Sequence, residues 1–88
     1  MSVHVEMQPT PNPNSVKFVV DRPVVEQGSK SYMSPQEAEV SPLAKAIFDL
    51  GGVTSVFMLG NFISVNKESG ADWTELAPRV VEAIQENL

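Results

Sequence analysis

The chain alternates apolar and polar residues in short blocks, and the period of that alternation changes along it. In "VHVEM", Val3 to Met7, the period is two. Val3, Val5 and Met7 face one way, His4 and Glu6 the other, which predicts a half-buried strand. "VKFVV", Val16 to Val20, predicts a second strand with Val16, Phe18 and Val20 on one face. It ends at Asp21-Arg22-Pro23, because proline cannot donate to a ladder. From 24 to 40 the pattern dissolves, and Gly28 with several serines reads as a loop. "SPQE", Ser34 to Glu37, is a capping box for one short helical turn, with Pro35 at the first helical position.

The second half is more regular. "SPLAKAIFDLGG" predicts a helix capped by Ser41, started by Pro42 and stopped by Gly51-Gly52. Leu43, Ala46, Ile47 and Leu50 form its apolar stripe. "VTSVFMLGNFISVNK" predicts a hairpin, Val53–Leu59 and Phe62–Lys67, around Gly60-Asn61, where a first-position glycine suits a type II′ turn. Val56 and Met58 oppose Phe57 and Leu59, while Ile63 and Val65 oppose Phe62 and Ser64, so one face is core and the other keeps some apolar side chains. The last block returns to helical spacing. Asp72 caps it, Glu75 stands three residues on, and Trp73, Leu76, Ala77, Val80, Val81 and Ile84 share a stripe. Pro78 falls inside this pattern and predicts a kink or a partly separate first turn.

These blocks predict a single α+β domain over 1–88. The expected architecture is a two-layer sandwich, a four-stranded mostly antiparallel sheet with two helices on one face, in the order ββαββα. The piece left over is "QPTPNPNSVKF", Gln8 to Phe18, which holds three of the seven prolines. Each proline fixes its own backbone and biases its predecessor toward extended structure. Asn12 and Asn14 can bond back to the chain as turns require. The connection is longer and stiffer than a hairpin needs, so it reads either as a register-setting turn or as a rigid contact loop.

Composition narrows the function classes. There is no cysteine, which removes disulfides, thiolate nucleophiles and thiolate-held clusters from this chain. A net charge of −5, with six scattered Lys/Arg, argues against nucleic acid and anionic membrane surfaces. The start "MSVHVEMQPT" lacks a signal-peptide pattern and no apolar run is long enough to span a bilayer, so the expected location is cytoplasmic. His4 stands alone on a polar strand face, without a second nitrogen ligand. The carboxylates, Glu26 among them, show no metal-binding spacing, and no serine or threonine has a base placed by a motif. The expectation is therefore no enzyme, no catalytic residue and no metal site. Trp73 reads as a core anchor, and Phe57 and Phe62 flank a hairpin tip where one aromatic can be exposed.

"TPNPNSVKF", "SPLAKAIF", "GGVTSVFMLGNFISVNK" and "ADWTELAP", in this order, resemble the N-terminal domain of Nfu-type iron–sulfur cluster scaffold proteins. The resemblance runs from about Thr10 to the end. It implies a role in assembling or delivering four-iron–four-sulfur clusters, with the cluster on a separate Cys-x-x-Cys domain and this domain as a protein-contacting accessory. It also implies either a stand-alone relative or an excised domain, holding no cofactor itself. Asn61 departs from the family, which tends to have Asp there. The expected partner is a cluster carrier or an apo-client protein, met through Thr10, Asn12 and Asn14 and through Asn61 and Phe62, with a monomer as the default state. The competing expectation is an adaptor unrelated to clusters, binding a protein or peptide at a sheet edge.

Overall fold

The computed structural model describes residues 3–25 and 27–88, so Glu26 and the first two residues of the N-terminal stretch lie outside the described residues. Five strands form one sheet: β1 Val5–Pro9, β2 Ser15–Val20, β3 Ser29–Tyr32, β4 Val53–Leu59 and β5 Phe62–Lys67. Their order across the sheet is β1-β2-β5-β4-β3, and every neighbouring pair is antiparallel. Among the described residues three helices accompany them: α1 Pro35–Ala38, α2 Pro42–Phe48 and α3 Trp73–Asn87.

The α+β class and the antiparallel sheet agree with the sequence pattern, but among the described residues the sheet has five strands and not four, there are three helices and not two because the Ser34 cap starts a short helix of its own, and the chain order becomes βββααββα. The extra strand is β3, read above as loop. Its residues Ser29, Lys30 and Ser31 are exposed and only Tyr32 is buried, so no apolar alternation marks it. Such an edge strand is specified by its partner β4, through the pairs Ser29–Leu59 to Tyr32–Val56, more than by its own side chains. β1 is also displaced, starting at Val5 rather than Val3 and running to Pro9. Val3 is buried all the same, and its carbonyl accepts from Gln85 Nε2 at 3.0 Å. Met7 lies opposite Phe18 and so on the helix-covered side, yet it is 50% exposed, because the edge strand extends beyond the helices.

The core sits between that face and the helices. Phe18, Val20, Val56, Ile63 and Val65 from the sheet meet Ala44, Ile47, Leu76, Val80 and Ile84 from α2 and α3. Local sequence sets each helix end. Ser34 Oγ accepts from Glu37 N, while Glu37 Oε1 reaches back one residue further and accepts from Met33 N at 3.3 Å. Ser41 Oγ accepts from Ala44 N, and Gly51 and Gly52 stop the chain after α2 with φ of 83° and 77°. The hairpin turns on Gly60, φ 57°, while no residue but glycine has positive φ among the described residues, which is the type II′ arrangement expected. α3 is one helix from Trp73 to Asn87 with Pro78 inside it, so its first turn is not separate. Pro78 and Thr74 are both exposed, so the carbonyl that loses its partner there is open to water.

Candidate functional site

The proline connection is a closed set of local bonds. Thr10 Oγ1 shares its one proton between the carbonyls of Asn12 and Ser15, at 3.0 and 2.9 Å, and accepts from Asn12 N. Asn12 Oδ1 accepts from Asn14 N at 2.9 Å. The set is then tied to the body of the protein by the Lys67 backbone N–H, which donates to Asn14 O at 2.8 Å, and by two side chains. Trp73 Nε1 donates to Pro13 O at 3.0 Å, and Lys67 Nζ donates to Asn14 Oδ1 at 3.0 Å and to Glu68 O at 3.2 Å. Lys67 is only 9% exposed and its ammonium stands 5.9 Å from the Trp73 ring centre. Trp73 itself packs against the core, 6.3 Å from Phe18 between ring centres, as the sequence suggested, and the indole nitrogen serves the loop besides. Thr10, Asn12 and Asn14 thus spend their polar side chains on holding the loop, and the outward surface is made by Pro11, Asn12 and Pro13.

Asn61 is pinned in a similar way at the hairpin tip. Its carbonyl accepts from Val20 N at 2.7 Å and its Nδ2 donates to Val20 O at 3.3 Å. A carboxylate cannot make the second bond, so Asn at this position changes how the tip is fastened as well as its charge. The tip and the proline loop do not form one site. β2 and β5 run antiparallel, which places Phe62 beside Val19 and Asn66 beside Ser15, so the two loops lie at opposite ends of the sheet. They are about 17 Å apart along β5 at ~3.3 Å per residue.

Phe62 belongs to a different feature, the sheet face that the helices leave uncovered. Cross-strand pairing lines up Val19, Phe62 and Leu59 on that face, with Lys17, Ser64 and Phe57 in the next row and Ser15, Asn66 and Ser55 beyond. Phe57 and Phe62 are diagonal neighbours, 6.2 Å between centres and tilted by 49°. Lys17 Nζ sits over Phe62, 4.3 Å from its centre. Leu59 is 41% exposed and the two phenylalanines and Val19 are half-buried. One end of the face is therefore apolar and aromatic. The other is a polar patch with Asn66 Nδ2 donating to Ser55 Oγ and the Ser15 and Ser64 hydroxyls in contact. Lys17, Val19 and Leu59 were not among the candidates read from sequence. The signal for them was the unbroken apolar run Phe18-Val19-Val20, which a strand with only one buried face does not need.

The remaining candidates stay apart. His4 is exposed, and its carbonyl accepts from Asp21 N. Among the described residues no group of three or more His, Asp or Glu converges on a point, so with no cysteine the donor set does not fit an iron–sulfur cluster. Two carboxyls are held below their ordinary range by local bonds. Asp21 is paired with Arg22 at 3.0 Å, and Asp72 accepts from Thr74 N at the start of α3. No helix among the described residues is long and apolar enough to cross a membrane.

The comparisons with known proteins follow the same outline. The family model described as "Scaffold protein Nfu/NifU N terminal" matches residues 5–88. The human protein named NFU1 iron-sulfur cluster scaffold homolog, mitochondrial, is 41% identical over 83 residues, covering 93% of this chain and 33% of the relative. NifU-like protein 4, mitochondrial, of Arabidopsis thaliana is 35% identical over 85 residues, covering 97% and 30%. The chain thus spans about a third of the length of these curated relatives. Among solved structures, protein SAV1430 of Staphylococcus aureus superposes with a TM-score of 0.78 at 27% identity, covering 96% of this chain and 99% of that one. A NifU-like protein of Saccharomyces cerevisiae gives 0.82 at 23% identity, with 97% and 77% covered, and speaks for the fold alone. A family match over nearly the whole chain, on a fold shared with these structures, places this protein in the Nfu/NifU N-terminal family.

Proposed function

We propose that this domain is a non-catalytic accessory module of iron–sulfur cluster assembly or delivery, acting by protein–protein contact. The observation that carries the reading is the uncovered aromatic end of the sheet, Val19, Phe57, Leu59 and Phe62, in a chain whose own side chains do not fit a cluster. Apolar aromatic side chains left at a surface are costly to hydrate, and a partner that covers them recovers that cost. Family membership supplies the context, since the family is described as a scaffold-protein N-terminal domain and the human relative is named an iron-sulfur cluster scaffold homolog. The cluster is cargo here, borne by a cysteine-bearing partner, which is a carrier or an apo-client protein.

The five candidate residues divide on this reading. Phe62 touches the partner, and Asn61 holds the tip that presents it. Thr10, Asn12 and Asn14 keep the proline loop rigid at the far end, where Pro11 and Pro13 form a second, smaller contact. An adaptor working through a sheet edge is less favoured. Both edges are blunted, β1 by Pro9 and β3 by Lys30.

Chemical-shift mapping tests the proposal. The labelled domain is titrated with a cysteine-bearing Nfu domain, loaded and unloaded, and with an apo-client. Expected shifts fall on Val19, Phe57, Leu59 and Phe62, and Phe62→Ser removes them. Shifts that avoid the open face, or none at all at high concentration, overturn the reading.

A further inference from the structure

We infer a further docking surface on the helical layer, a groove along the seam of α2 and α3 that takes a basic amphipathic protein segment. Two adjoining hollows make it. One, about 270 Å³, opens at the end of α2 over Leu50, Gly52, Ala71 and Leu76. The other, about 330 Å³, continues over Ala46, Leu50 and Ala83. Leu50 and Arg79 line both, so the groove is continuous. Leu50, Leu76, Ala46 and Ala83 supply an aliphatic strip along a floor that is otherwise polar, and Gly51 and Gly70 leave open space beside it.

The rim carries the charge. Glu75, Arg79, Glu82 and Glu86 recur at spacings of four, three and four along α3, which is one stripe of a helix, and Asp72 stands at its head. Among the described residues the ion pair within 4.0 Å is Arg22–Asp21, and whatever Arg79 offsets, the stripe keeps an excess of three negative charges, four carboxylates against one guanidinium. With a net charge of −5 for the whole chain, the groove attracts cations and repels nucleic acid and anionic lipid. The aliphatic strip asks for an apolar side chain between those cations, which a free metal ion or a purely polar chain does not offer.

Spacing makes the occupant more specific. Glu75 and Glu82 are seven residues apart, about 10 Å along the axis at ~1.5 Å per residue. Arg79 lies between them and disfavours a third positive charge there. The complement is a helical segment with Lys or Arg seven positions apart and a leucine-like residue between, over Leu50. This is a different surface from the open sheet face, and it stands or falls without it.

The probe is a synthetic helical peptide built on Lys-x-x-Leu-x-x-x-Lys, with a Glu-for-Lys version as control. Expected shifts fall on Leu50, Gly51, Leu76 and Arg79, and affinity drops at least about threefold between about 50 and about 300 mM salt. E75Q with E82Q weakens binding by at least about fivefold, and Arg79→Glu strengthens it. Phe62→Ser binds the probe like the wild type, although it loses the partner of the sheet face, so the two proposals fail separately. Unchanged binding in the double Gln variant, equal binding of the Glu control, shifts on the sheet face, or no shifts at about 1 mM peptide each overturn the inference.

Discussion

Asn14→Ala distinguishes a loop that is held from within from one whose asparagine waits for a partner. Asn14 Oδ1 is one of two oxygen acceptors of the Lys67 ammonium, and Lys67 is 9% exposed. A hydrogen bond from a charged donor contributes about 1.5–3 kcal/mol net. The loop flank is only half-buried, so water can partly replace the lost oxygen, and the lower part of that range applies, about 1.5–2 kcal/mol. At an unfolding entropy of ~2.1 cal/mol/K per residue, a domain of this length loses about 8–11 °C of Tm. Thermal unfolding followed by circular dichroism measures it in the isolated domain, with no partner present. The cycle with Lys67→Met is the control: once the ammonium is gone, Asn14→Ala should cost less than about 0.5 kcal/mol. A cost below about 0.5 kcal/mol in the wild-type background, or the same cost with and without Lys67, refutes the reasoning. Asn14 would then be free for a contact.

Three further outcomes follow from the structure. Gly51 and Gly52 both have left-handed φ, but a Cβ at 51 meets nothing, while one at 52 stands 3.0 Å from the Ala71 Cβ. Gly51→Ala should cost about 0.5–1.5 kcal/mol in urea unfolding and Gly52→Ala about 1 kcal/mol more; equal costs contradict the close approach. Ile63 is fully buried at the centre of the sheet, and Ile63→Ala should cost about 2–5 kcal/mol, a large share of the stability of a domain this size, with the same urea assay as the check. Asp72 has its folded carboxyl held below the unfolded value, first by the Thr74 backbone N–H and then by its side chain. Its stabilisation is therefore complete above the unfolded value and lost as pH falls through the folded one, so Asp72→Asn should flatten the decline of Tm in acid, and parallel declines contradict the assignment.

What the sequence determined by itself is local. The start of α2, the Gly60-Asn61 turn, the two strands of the central hairpin and the Asp72 cap are each specified by side chains a few residues apart, and all appear where the pattern put them, while α2 ends at Phe48, short of the Leu50 that its stripe included. The family resemblance rests on these same blocks. The tertiary structure decided what depends on distant partners. β3 exists because β4 offers it a ladder, and its own exposed Ser-Lys-Ser carries no apolar period from which to read it. The division of the candidate residues is of the same kind. Thr10, Asn12 and Phe62 look alike as loop residues in one dimension. Folding brings Lys67 and Trp73 to the proline loop, 53 and 60 positions away, and so turns that loop into an anchored turn. It leaves Phe62 beside Phe57 and Val19 on the face that no helix covers. Which apolar side chains remain uncovered is set by where the helices pack, and no window of neighbouring residues contains that information.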